Sequence, residues 1–204
     1  MTTLDLPTSA LALSDDAADL LFKQARTANT FTDEPVTDAQ LQAVHDLTKF
    51  GPTALNAQPL RILLVRSPEA RARLVGHMGG SNKDKTAAAP LVAVLAYDVD
   101  FHEQLPVVFP HFPGAKDMFA EEAGRHVAGR DNAYLQAGYF IVGVRAAGLA
   151  AGPMGGFDAA GVDEEFFPDG RTRSFLVVNI GTPGPDAWFD RSPRLPYEQV
   201  VTTV

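Results

Sequence analysis

Apolar residues along this chain recur with two different periods, and the two periods predict its elements. Ser14 followed by Asp15 and Asp16 makes a helix start, and Leu20, Leu21 and Phe22 carry that helix toward Thr27–Thr30, where the pattern fades. A second helix is predicted from Thr37 or Asp38, with Leu41, Val44 and Leu47 on one face and Gly51-Pro52 as its stop. Arg61–Arg66 (RILLVR) is an apolar run bounded by Pro59 and Pro68, and reads as a strand. A short helix is expected over Glu69–His77. Leu91–Tyr97 (LVAVLAY) reads as a second, buried strand, and Phe175–Ile180 (FLVVNI), stopped by Gly181, as a third. The β-branched tail Tyr197–Val204 reads as a fourth.

The longest helical pattern runs from Glu121 to Leu149. Tyr134, Ala137, Gly138, Ile141, Val142 and Arg145 give it a mostly apolar surface with small residues that allow close packing. A helix apolar on more than one face is either a central core helix or a subunit-interface helix. Phe101–Met118, with LPVVFPHFPG at its centre, suits a loop or lid better than a regular element. Irregular alternation of strands and helices places the chain in the α+β class, with a central sheet and helices packed around it.

Composition narrows the partners. At 204 residues and 46% hydrophobic, the chain supports a single compact domain. Residues 1–13 read as a flexible leader and 14–204 as that domain. The net charge is −8 and the basic residues are scattered, which argues against nucleic acid or an anionic membrane as a partner. The N-terminus lacks a basic region, and the longest apolar stretch, Tyr139–Leu149, is interrupted by Arg145 and glycines, so neither a secretory signal nor a membrane span is expected. There is no cysteine. That excludes disulfides, iron–sulfur ligation and thiol nucleophiles, and fits a cytoplasmic protein.

Several chemistries lack their tools. His45, His77, His102, His111 and His126 have no zinc-motif spacing, so no metal site is expected. There is no G-x-S-x-G, no phosphate-loop lysine motif and no Gly-x-Gly-x-x-Gly after a strand. Glu121-Glu122 and Glu164-Glu165 are adjacent pairs, which on a helix do not face one another. Such an enzyme would borrow its chemistry from a cofactor.

Four segments and the tail remain as candidates. Arg26-Thr27, near the end of the first helix, offers a charge and a neutral donor side by side, a pairing that suits a phosphate, and Asn29 could donate to a carbonyl of a planar ring. Gly51-Pro52-Thr53-Ala54-Leu55-Asn56-Ala57-Gln58-Pro59 is a proline-bounded polar loop ahead of a strand. Asn82-Lys83-Asp84-Lys85 precedes the LVAVLAY strand. Gly152-Pro153-Met154-Gly155-Gly156-Phe157-Asp158 follows the long helix, and its glycines allow close approach to a flat ligand. Arg191 and Arg194 near the C-terminus suit a second contact to phosphate. Each also has an ordinary reading: surface arginines, a helix-to-strand connection, a polar turn, a C-cap.

Taken in order, these segments resemble the nitroreductase family, from about Leu20 to the C-terminus. Pro52, Thr53, Asn56, Gln58 and Pro59 match its Pro-Ser-Ser-x-Asn-x-Gln-Pro loop, Asn82 and Lys85 its Asn and Lys three apart, and Gly156-Phe157-Asp158 the end of its Pro-x-x-Gly-Phe-Asp loop. The resemblance implies an FMN cofactor at a homodimer interface, reduced by NADPH or NADH as co-substrate. It implies cofactor contacts from Arg26, Thr27, Asn29, Pro52, Thr53, Ala54, Asn56, Asn82, Lys85, Pro153, Met154, Gly155, Gly156, Arg191 and Arg194. Lys85 would offset negative charge on the ring, and the 153–156 backbone would reach its N5. Phe109, His111 and Phe112 of the 101–118 segment are candidates for the substrate pocket, the alternative being a surface excursion. Finer strings (ART-x-N, GPT-x-x-N, LP-x-x-FPH, GPM-x-GFD, PRL) are similar to the malonic semialdehyde reductases, which form 3-hydroxypropionate in pyrimidine breakdown. A broad nitro or quinone reductase, and a flavin-storage protein without turnover, stay open beside that reading.

Overall fold

The computed structural model describes residues 11–204. The first ten residues of the expected 1–13 leader lie outside the described residues, and Leu11–Leu13 are exposed without regular structure. Four antiparallel strands form the centre: β1 (Leu60–Val65), β2 (Leu91–Asp98), β3 (Ala150–Met154) and β4 (Thr172–Gly181), in the order β1-β2-β4-β3. Among the described residues eight α-helices accompany them: α1 (Asp15–Ala18), α2 (Asp38–Thr48), α3 (Pro68–His77), α4 (Asn82–Ala88), α5 (Leu105–Val108), α6 (Glu122–Ala146), α7 (Ala159–Phe166) and α8 (Tyr197–Val200). The class is α+β, as the sequence pattern predicts.

Alternation along β2 explains the layering. Leu91, Ala93 and Leu95 point into a core shared with Val44 of α2 and Ala137, Phe140 and Val144 of α6. Val92 and Val94 point the other way, into a core shared with Leu74 of α3 and Val162 of α7. A strand covered on both faces must be apolar throughout, and every residue of β2 is buried. Helix α2 starts with a capping box between Thr37 and Gln40. It lies close on α6, where a side chain at Gly143 would sit 3.4 Å from the Val44 carbonyl. Gln136 of α6 is buried and accepts the Leu60 N–H, tying that helix to the start of β1.

The structure corrects several expectations. The tail is not a strand: Tyr197–Val200 forms one helical turn and the last four residues have no regular structure. The remaining strand is Ala150–Met154, where glycines and Pro153 suggested a loop. Proline is tolerated there because β3 is an edge strand, which does not need every amide in a ladder. Asn82–Lys85 opens helix α4 rather than forming a turn. The first helix passes from α1 into a π-helical turn over Asp19–Lys23 and stops well before Thr27. The 101–118 segment holds short helical pieces, Phe101–Gln104, α5 and Pro113–Phe119, packed around Phe101, Leu105 and Ala115.

Candidate functional site

Residues 25–31 leave the π-helical turn as extended chain and cover the open edge of β3. The Ala28 amide donates to the Ala151 carbonyl at 3.0 Å, and the Asn29 amide to the Ala187 carbonyl of the tail at 2.9 Å. The approach requires glycine at 152, since a Cβ there would lie 2.6 Å from the Ala28 carbonyl oxygen. Covering the edge in this way removes unpaired backbone groups and brings Arg26 and Thr27 beside β3.

A cleft of about 210 Å³ results, lined by Arg26, Thr27, Pro153 and Arg194 together with Ala25, Ala151 and, from α6, Ile141, Val142 and Arg145. Arg26 donates through Nη1 to the Phe189 carbonyl at 3.1 Å, while its Nε is buried with no partner among the described residues. Arg194 donates only to carbonyls of its own turn, Ser192 and Pro193. Arg191, expected beside Arg194, does not line this cleft. Its Nη2 donates to the Lys23 and Ala25 carbonyls, the first at the end of the π-helical turn where such oxygens lack partners.

Next to the cleft, the Lys85 ammonium donates to Asn29 Oδ1 at 2.8 Å. The Asn82 side chain donates to the Gly156 carbonyl at 3.2 Å, which the Gly79 amide also reaches, at 2.9 Å. Helix α4 thus presents Asn82 and Lys85 one turn apart, toward the 152–158 segment and the 25–31 segment respectively. Met154 is buried, whereas Gly155 and Gly156 are exposed backbone. Three of the four segments and Arg194 therefore converge.

The fourth segment lies elsewhere. Leu55, Asn56 and Gln58 have positive φ (53°, 51° and 44°), unusual for residues with side chains. Thr53 Oγ1 accepts the Gln58 amide, Asn132 Oδ1 accepts the Ala54 amide at 2.7 Å, and Asn56 Nδ2 donates to the Val108 carbonyl at 2.8 Å. Pro52, Ala54 and Asn56 are exposed. Asn132 and Arg145 mark the two groups along α6, about 20 Å apart at 1.5 Å rise per residue. The 53–58 loop instead adjoins the 101–118 segment, where the Phe109 and His111 rings stand 3.9 Å apart and Phe112 is exposed.

Arg145 and Trp188 escaped the sequence reading. A lone arginine in an apolar stretch of helix was the available signal, because such a group needs compensation once desolvated. A larger cleft, about 390 Å³, lies between α7 and β4 around Asp163 and Arg173 and contains none of these residues. Asp163 there accepts the Ser174 amide at 2.7 Å, a structural role.

An antiparallel sheet between helical layers, with a basic cleft along its β3 edge, defines a domain of nitroreductase-like fold. The model of the Nitroreductase family matches residues 22–182, and the chain belongs to that family. A Streptomyces coelicolor protein with the provisional name NADH dehydrogenase/NAD(P)H nitroreductase is 67% identical over 96% of this chain and 100% of its own length. A Streptomyces griseus protein of the same provisional name is 63% identical over the same shares. Among solved structures, a provisionally named nitroreductase of Exiguobacterium sibiricum in complex with FMN has a TM-score of 0.81 at 18% identity, over 94% of this chain and 98% of that one.

Proposed function

We propose that the chain is an FMN-dependent oxidoreductase that takes reducing equivalents from NADPH or NADH. The observation that carries this is the convergence of Arg26, Thr27 and Arg194 in one cleft with no Asp or Glu in its lining, beside Lys85 and the 153–156 backbone. The residues fit the cofactor. The buried Arg26 Nε is a donor awaiting an acceptor, and exposed glycine backbone at 155 and 156 suits a flat ring. When bound, FMN supplies a hydride acceptor and donor between the nicotinamide and the substrate. Arg26, Thr27 and Arg194 neutralise the phosphate. Lys85, held by Asn29, puts a positive charge near the ring, and Asn82 fixes the Gly156 peptide. Phe109, His111 and Phe112, which adjoin the 53–58 loop, would flank the acceptor with that loop from a partner copy and limit water. The protein positions and charges the site rather than forming a covalent bond to substrate.

The functional unit in this reading is a homodimer. Pro52, Thr53, Ala54 and Asn56 lie far along α6 from the phosphate cleft, so a partner copy's loop would complete each site. Exposed Leu135 and Tyr139, one turn apart on α6, with Leu47 of α2 and Phe50 in the turn after it, form the apolar face for that contact.

For the acceptor, the finer sequence strings favour malonic semialdehyde, reduced to 3-hydroxypropionate in pyrimidine catabolism. The word nitroreductase in the names of the Streptomyces relatives favours the second reading, a broad nitro or quinone reductase, in its nitro part, and chemistry supports the whole of it: an aldehyde is a less natural hydride acceptor from flavin than a nitro group or quinone. The test begins with the purified protein. Flavin absorbance, release of FMN by mass, and anaerobic bleaching by NADPH or NADH are expected. FAD, no flavin after growth with riboflavin, or a flavin that nicotinamide cannot bleach would overturn the proposal, the last in favour of storage. Reoxidation by malonic semialdehyde against a nitroarene and a quinone then separates the two acceptor readings.

A further inference from the structure

The cleft beside β3 holds a third guanidinium, from the middle of the long helix. Arg145 lines it with Arg26 and Arg194, and no acidic residue does. In a chain of net charge −8 this clustering is unusual. Arg61, Arg66, Arg73, Arg125 and Arg171 each face an Asp or Glu. Arg26, Arg145 and Arg194 face none among the described residues. Like charges converging on one partly dry space are costly unless an anion joins them.

Arg145 is held for such a role. Its Nε donates to the Leu20 carbonyl in the π-helical turn and its Nη1 to the Leu149 carbonyl, both at 3.3 Å, which leaves Nη2 unused. Burial draws its pKa below the ordinary arginine value. Trp188, the only tryptophan in the chain, lies near both cations: the Arg26 guanidinium carbon is 5.6 Å from its ring centre and that of Arg145 is 5.9 Å. One ring within reach of two guanidiniums orders both through cation–π attraction.

We infer that Arg145, ordered beside Arg26 by Trp188, binds the cofactor phosphate directly, and that Arg191 is a backbone clasp rather than a ligand. This rests on the reading of the cleft as the FMN phosphate site. It puts the third phosphate contact on α6, so the phosphate end of the site is anchored to the same helix that carries the apolar face.

The test compares FMN with riboflavin, which has the same ring and no phosphate. Flavin-depleted full-length protein is titrated with each, following flavin fluorescence and Trp188 emission. The ratio of the two affinities isolates the phosphate. Arg145→Gln removes the charge and keeps a polar, uncharged side chain, and it should lower the FMN-to-riboflavin ratio by about tenfold, or 1.4 kcal/mol. Arg145→Lys should fall between it and the wild type, because it keeps charge and loses the planar fork. Arg191→Gln should lower the melting temperature and leave the ratio alone. An unchanged ratio in Arg145→Gln, or equal weakening of both flavins, would overturn the inference. If Arg145→Gln does not fold, Arg145→Lys decides: a reduced ratio supports the inference and the wild-type ratio ends it. A wild type that binds neither flavin defeats the FMN reading instead. Inorganic phosphate then probes the cleft without a flavin, and should raise the melting temperature of the wild type more than that of an Arg145 variant; an equal rise in both would count against Arg145.

Discussion

Two single residues govern how the cleft beside β3 is built and test the proposal that it holds a phosphate. Gly152 leaves room for the Ala28 carbonyl, a backbone group that cannot step aside. Gly152→Ala is expected to destabilise the fold by about 2 kcal/mol, as overpacking commonly does, and to weaken flavin binding by pushing Arg26 and Thr27 off β3. A urea midpoint that falls at constant slope would show the first effect, and a wild-type midpoint would mean that the 25–31 segment relaxes freely. Arg194 makes hydrogen bonds only to its own turn, so the core does not depend on it. Arg194→Ala should keep the circular dichroism spectrum and lose roughly 30-fold in FMN affinity, corresponding to about 2 kcal/mol for removing one partner of a buried charge. Arg26 and Arg145 in the same cleft keep the loss from being larger. Wild-type FMN affinity in this variant would make Arg194 a surface charge.

Among the elements, the 53–58 loop and the 101–119 segment behave as one unit. Asn56 holds the Val108 carbonyl, and Leu55 packs with Phe101, Leu105 and Ala115. The amide of Asn56 is thus spent on the neighbouring segment. Asn56→Ala is expected to raise amide exchange across residues 101–119 and to change the relative rates for different acceptors, with little effect on phosphate affinity. Exchange confined to residues 53–58 would contradict that coupling. The same level shows why some elements were legible and others not. Strand β2 announces itself because burial on both faces demands seven apolar residues in a row, LVAVLAY. Strand β3 does not, because Gly152 and Pro153 answer to the Ala28 approach and to the sheet edge rather than to strand propensity. Helix α4 is hidden in the same way: Asn82-Lys83-Asp84-Lys85 resembles a turn until Thr86 is seen buried beneath it.

For the whole molecule, the decisive quantity is the apolar area left uncovered on α6 and in the turn after α2. Leu135 is 54% exposed, Tyr139 47% and Phe50 76%. Obligate interfaces are large and apolar, and a charge at the centre of one is costly. Leu135→Asp, on the outer face of α6, should therefore leave each chain folded, shift light scattering from dimer to monomer, and release flavin. A monomeric wild type that still holds flavin would refute both the dimer and the shared site.

The amino-acid sequence alone determined the α+β class, the three apolar strands, the long helix and the ordered string of segments at 26–29, 51–59, 82–85 and 152–158. These are local properties: periodicity, caps and turn residues are written within a few neighbouring positions. It also marked Arg26, Thr27, Arg191 and Arg194 as phosphate candidates. Only the tertiary structure separated the 51–59 loop from the other segments, turned Arg191 toward the Lys23 and Ala25 carbonyls, and set Arg145 and Trp188 beside Arg26. Those outcomes depend on which groups distant in the chain become neighbours when β3 closes against residues 25–31. A guanidinium's role follows from the carbonyl, ring or anion it then meets, and no local pattern records that meeting.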